Sequence, residues 1–171
     1  MPLEQFFDYL KEEKKMAQNT LLAYRRDVLE FSEFEKQRGI CDLRQTPETE
    51  VVAFLLKLKN DGRSAATVNR KLASVRSFYN FLQARQGIAA NPALDIKSPK
   101  IERKELEYLT TEEVEHLLTM PDRSLKGIRD QAVLELLYAT GIRITELIEA
   151  NVEDINLRMG FITCAGEQSK A

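Results

Sequence analysis

Metal ligands and disulfide formers are scarce in this chain of 171 residues, which has two cysteines, Cys41 and Cys164, and a single histidine, His116. A structural zinc site takes about four Cys or His ligands, so no metal is expected here. The two cysteines stand far apart with no CxxC partner, and a structural disulfide is not expected in a reducing compartment. Long apolar runs are missing as well. No stretch approaches the roughly 18 residues that a membrane-spanning helix requires, so no membrane partner is expected. The opening MPLEQFFDYLKEEKK lacks the basic start and apolar stretch of a signal peptide. The expected location is therefore cytoplasmic. Internal repeats and low-complexity segments are also absent, which excludes solenoids and disordered arrays.

What is present suits a folded, globular chain: 43% of residues are hydrophobic and 30% charged. The length admits one ordinary domain or two small ones. The net charge of −2 conceals a division. Residues 1–107 hold 19 basic and 16 acidic side chains, a net of +3, whereas residues 108–171 hold 6 and 11, a net of −5. Residues 63–85 contain Arg63, Arg70, Lys71, Arg76 and Arg85 and no acid at all. A polyanion docks where local charge favours it, whatever the total.

The first hundred residues read as four helices. Leu3, Phe6, Phe7 and Leu10 have helical spacing over residues 2–14. Asn19 is expected to cap a second helix that runs to about Arg38 and ends at Gly39. Thr46 and Pro47 look like a cap and first-turn proline for a third helix reaching Asp61 and Gly62. Ser64 opens a fourth, which runs to about Gly87. Its apolar stripe is Val68, Leu72, Val75, Tyr79 and Leu82, and Arg63, Thr67, Arg70, Lys71 and Ser74 share a neighbouring face. Residues 88–107, with Pro92, Pro99, Lys97, Lys100, Arg103 and Lys104, read as an interdomain linker.

Order resumes with a capping box at Thr110 and Glu113 and a helix to about Thr119. A second helix covers residues 127–139, with Ile128, Ala132, Val133, Leu136 and Leu137 expected on its buried side and Gly141 at its end. A short helix starts near Arg143. Residues 161–164 read as a strand, and the sequence ends a few residues after Gly166. That strand is expected to lack a sheet partner, leaving backbone groups unpaired. The second domain is therefore expected to be incomplete, with a possible dimer through the truncated edge strand.

Residues 136–147 read LLYATGIRITEL, and this segment resembles the first arginine box of the tyrosine recombinases, in the Xer-like and phage or transposon integrase branch. Ile128, Arg129 and Asp130 before it, and Val152, Glu153, Asp154 and Ile155 after it, are similar to the same family. So are Asn19 and Thr20 with Tyr24, Arg25, Arg26 and Asp27, and Thr67 to Ala73 with Arg76, Ser77, Phe78 and Tyr79. The resemblance covers nearly the whole chain. It implies a mainly α fold: a four-helix SAM-like N-terminal DNA-binding domain over residues 1–87, the linker, and a truncated α+β catalytic domain over residues 108–171.

The resemblance also implies a chemistry. A tyrosine of such enzymes attacks a DNA phosphate and forms a 3′-phosphotyrosyl intermediate, so no cofactor is implied. Arginines stabilise the charge that builds on the phosphoryl oxygens, with a permanently charged fork that lysine does not copy. Arg143 matches the first of these arginines, and Glu146 matches the acid that supports it. The position of the family's catalytic lysine falls on Glu167, and Lys170 is the nearest lysine. The second arginine, the histidine positions and the nucleophilic tyrosine are expected beyond Ala171, so the chain alone is expected to be inactive. Thr20, Tyr24, Arg25, Thr67, Arg70, Lys71, Ser74 and Arg76 are the candidate DNA-binding residues. Implied partners are duplex DNA and other recombinase protomers on that DNA. Two alternatives stand beside DNA binding within a recombinase: a naturally truncated, non-catalytic DNA-binding protein, and a helical protein-interaction module whose basic face meets an acidic partner.

Overall fold

A computed structural model of the chain describes residues 2–101 and 107–164. It divides into two compact units, Met1–Lys104 and Glu105–Ala171. Glu167 and Lys170, together with Arg103 and Lys104, lie outside the described residues.

The first unit is helical. α1 (Pro2–Asp8) continues into a π-helical turn, Tyr9–Glu13. α2 (Gln18–Gln37) is followed by a 3-10 turn at Leu43–Gln45, then α3 (Glu48–Asn60) and α4 (Ala65–Gln86). The four expected helices are therefore present, but two of the expected caps are not used. α2 begins two residues earlier than a cap at Asn19 allows, with Ala17 at the cap and no side-chain cap bond. Pro47, not Thr46, occupies the cap of α3, because the Thr46 hydroxyl donates instead to the buried Glu35 carboxylate, Oγ1 to Oε2 at 2.8 Å. Ser64 caps α4 as expected, accepting from the Thr67 N–H. Gly87 closes it at φ 66°, a left-handed geometry that a side chain would strain.

Phe6, Leu10, Val28, Phe31, Val51, Phe54, Leu58 and the expected stripe of α4 form one buried core. Phe31 meets Phe54 and Tyr79 edge-on, with ring centroids 5.2 and 6.1 Å apart, so α2, α3 and α4 share one aromatic junction. Residues 88–101 differ from a free linker. Ala93 is fully buried, and Ile88 and Ile96 pack on the core. Arg76 donates to the carbonyls of Ala93 (2.9 Å) and Ile96 (2.8 Å), and Asn69 to that of Pro99 (2.9 Å). A segment without helical period carries few intrasegment backbone bonds. α4 supplies the missing partners with side chains.

The second unit contains α5 (Thr111–Thr119), α6 (Leu125–Thr140), α7 (Ile144–Glu149), a 3-10 turn Val152–Asp154, and strands β1 (Ile155–Asn156) and β2 (Phe161–Ile162). The Thr110–Glu113 capping box is formed. α6 starts two residues before Gly127, capped by Ser124. Of its expected buried side, Val133, Leu136 and Leu137 are half-buried, whereas Ile128 and Ala132 are exposed. The strand is not without a partner: β2 pairs antiparallel with β1, in the register Ile155–Ile162 and Asn156–Phe161. The Thr163 N–H extends the ladder to the Asp154 carbonyl at 2.9 Å. One edge of β2 is thus satisfied within the chain by residues that read as loop, because two-residue strands are too short to show alternation.

Candidate nucleic-acid interface

α2 and α4 lie side by side, and three of the expected DNA-binding residues, Arg70, Lys71 and Ser74, fall at their junction. At its centre is Asp27, fully buried. Its carboxylate accepts from Lys71 Nζ (3.1 Å), from Ser74 Oγ (2.9 Å) and from the Arg70 guanidinium. Lys71 also pairs with Glu30 at 2.7 Å. A buried carboxylate is tolerated only with such compensation, since an unpaired charge in a core is costly.

This arrangement divides the candidates. Lys71 and Ser74 are both buried and bonded to Asp27. Arg76 is half-buried with its guanidinium bound to two backbone carbonyls. Tyr24 packs against the core. Arg70 keeps 42% of its side chain exposed while bonded to Asp27. Thr67 is half-buried, and Thr20 and Arg25 are exposed. The Arg25 guanidinium lies 5.2 Å from the centre of the Phe7 ring, toward α1. At 100° per residue, Arg25 is about 160° from Asp27 around α2, so the structure does not bring Arg25 and Arg70 together. Arg26, one position from Asp27, is exposed and pairs with no acid among the described residues. It stood within the family-like segment but not among the chosen candidates.

In the second unit, Gly141 ends α6 in a left-handed conformation at φ 65°, its N–H donating to the Leu137 carbonyl at 2.9 Å. That turn sets Arg143 at the cap of α7. The Arg143 N–H donates to Glu146 Oε2 and its Nη1 to Oε1, each at 2.8 Å. These bonds, the backbone one foremost, hold the Glu146 carboxyl below its ordinary pKa. The pair is uneven: the Arg143 side chain is 81% exposed and that of Glu146 only 18%. The acid anchors; the cation is presented outward. Among the described residues no group of three or more His, Cys, Asp or Glu is placed to hold a metal ion. Nor is any helix among them long and apolar enough to cross a membrane.

Two family profiles match the sequence. The phage integrase N-terminal SAM-like domain covers residues 3–86, and the phage integrase family covers residues 107–171. The chain belongs to the phage integrase family of tyrosine recombinases. Its first unit holds the SAM-like domain of that family, and its second holds family catalytic-domain sequence. The tyrosine recombinase XerD of Oceanobacillus iheyensis is 39% identical over 169 residues, 98% of this chain and 57% of the relative. The tyrosine recombinase XerC of Roseiflexus castenholzii is 38% identical over 170 residues, 98% of this chain and 54% of the relative. The chain thus spans about half the length of the curated relatives it matches. Among solved structures, the Tn1549 transposon integrase in complex with circular intermediate DNA is similar with a TM-score of 0.70 and 19% identity. The match covers 91% of this chain and 51% of that one. At that identity the likeness concerns the recombinase fold alone.

Proposed function

We propose that this chain provides DNA binding in site-specific recombination, as part of a recombinase that cuts and rejoins DNA through a 3′-phosphotyrosyl intermediate. The observation that carries the reading is Arg143, an outward guanidinium braced by Glu146 at the start of α7. A fork held in place by one acid retains free donors for a phosphoryl group, and its charge does not depend on pH. Arg70, Arg26, Thr67 and Thr20 supply phosphate contacts from the α2–α4 side, and these fix register more than sequence. Other recombinase protomers on the same DNA are the remaining partners on this reading.

The test is fluorescence anisotropy of a labelled duplex of about 30 base pairs, titrated with the chain at several salt concentrations. Affinity should fall steeply with salt, because each neutralised phosphate releases counterions. Arg70→Ala, Arg26→Ala and Arg143→Ala should each reduce the slope by about one unit. A binding constant that ignores salt, or three variants indistinguishable from wild type, would refute it.

A further inference from the structure

α3 carries a pattern that the DNA reading does not use. Its inward residues Val51, Phe54 and Leu58 belong to the core. On the outward side Glu48, Val52, Leu56 and Lys59 follow at steps of four, four and three, so they form one stripe along the helix. The middle of that stripe is apolar and open, with Val52 38% and Leu56 55% exposed. Its ends are charged with opposite signs, and neither Glu48 nor Lys59 has an ion-pair partner among the described residues. Beside it runs a groove of about 600 Å³, between α3, the start of α4 and residues 96–100, walled by Leu55, Ile96 and Pro99 and by the cations Lys59, Arg63, Lys97 and Lys100.

We infer that this face is an interface between two copies of the chain, α3 packing antiparallel on α3 about a two-fold axis. An isologous interface must be complementary to itself. This stripe is, because it reverses charge from end to end. An axis passing near residues 53 and 54 brings Glu48 against Lys59 of the second copy and Val52 against Leu56 of the second copy, and each pair occurs twice. The groove beside Leu55 receives the apolar middle of the second helix. Antiparallel helices also oppose their dipoles favourably. Parallel packing would set Glu48 on Glu48 and Lys59 on Lys59. Duplex DNA would meet the cations of the groove but leave Val52 and Leu56 uncovered and set Glu48 against phosphate, whereas a second copy covers the apolar pair and matches both end charges. A uniformly acidic peptide would meet Glu48. The patch is small, so the dimer is weak and concentration-dependent.

Sedimentation equilibrium of the 171-residue chain up to about 0.5 mM tests this. Wild type should move toward twice the monomer mass within that range. Leu56→Glu should abolish the shift; circular dichroism should show unchanged helix, since Leu56 is more than half exposed. Glu48→Lys and Lys59→Glu should each weaken association at least about tenfold, because each converts two attractive pairs into two repulsive ones. The double variant Glu48→Lys with Lys59→Glu should regain dimerisation, with the charges exchanged. A wild-type chain that stays monomeric throughout would overturn the proposal. So would a dimer that survives Leu56→Glu, which would place the contact elsewhere, for example on an edge of β2. A double variant no better than the single ones would overturn the antiparallel register.

Discussion

At the scale of single residues, Asp27 decides which cations are free. Lys71 has a side chain only 5% exposed and two acidic partners, so its charge serves the core. Lys71→Met keeps the volume and removes the cation; with Arg70 and Ser74 still on Asp27, the loss of stability should be about 2–4 kcal/mol by urea denaturation. The salt slope of DNA binding should be unchanged by it, unlike that of Arg70→Ala. A lowered slope with unchanged stability would mean that Lys71 faces the phosphates after all. Glu35 makes a second residue-scale prediction. It is fully buried, and its Oε1 has no hydrogen-bond partner among the described residues. Burial pushes its carboxyl pKa above the ordinary 4.5, partly offset by the Thr46 hydroxyl. The folded state then holds the proton more tightly than the unfolded chain. The Glu35 contribution to stability is fully present below 4.5 and is lost as pH rises through the folded value. Glu35→Gln should flatten that decline and raise the melting temperature near pH 7, and parallel melting curves for the two proteins from pH 4 to 8 would exclude it. The sequence allowed Arg143 and Glu146 to be read together because they lie three positions apart in one motif. The bonds of Lys71 and Ser74 to Asp27 were not legible, because that acid lies more than 40 residues upstream. Periodicity tells which residues share a face, but not what covers it.

At the scale of elements, α4 organises the first unit by holding something different on each flank. Toward α2 it presents the Asp27 cluster; away from it, Asn69 and Arg76 hold residues 91–99. That second role was hidden in a stretch whose prolines and cations read as linker. Arg76→Ala removes two bonds to carbonyls and should release the segment without unfolding the helices. In hydrogen exchange, amides around Ala93 to Ile96 should lose protection while those of α2 and α4 keep theirs. Uniform loss through the unit would show instead that Arg76 supports the whole core. In the second unit the start of α6 is fixed by a close approach. A Cβ on Gly127 would stand 2.1 Å from the Asp122 carbonyl oxygen, a contact only backbone movement could relieve. The spacing predicts only that the helix begins near Gly127. The glycine's actual requirement is space, which spacing alone cannot reveal. Gly127→Ala should therefore destabilise α6 by about 1–3 kcal/mol, and near-native stability on denaturation would show that the turn at Asp122 yields.

At the scale of the molecule, the two units differ in how they are held. Every buried hydrophobic side chain of the core lies between Phe6 and Ala93, all within the first unit. In the second, Gly127 is the only buried residue among those described, while Ile148, Val152, Leu157 and Met159 are 74–90% exposed. Apolar burial is the main favourable term in folding, so resistance to unfolding should be distributed as unequally as the burial is. The helices of the second unit are nonetheless well formed, with caps at Thr110 and Ser124 and a braced start to α7. Caps are each worth about 1 kcal/mol, enough to shape a helix but not to protect it. Native-state hydrogen exchange of the chain should therefore separate two classes. Amides in the middle of α4, around Leu72 to Tyr79, should exchange only through global unfolding. Those of α5, α6 and α7 should exchange through openings of much lower free energy and show little dependence on denaturant. Urea should first remove the helical signal of the second unit, with the first following in a separate cooperative step. A single transition in which amides of α4 and α6 share one opening free energy would mean that the units stabilise one another, and the unequal burial would then be a poor guide to their stability.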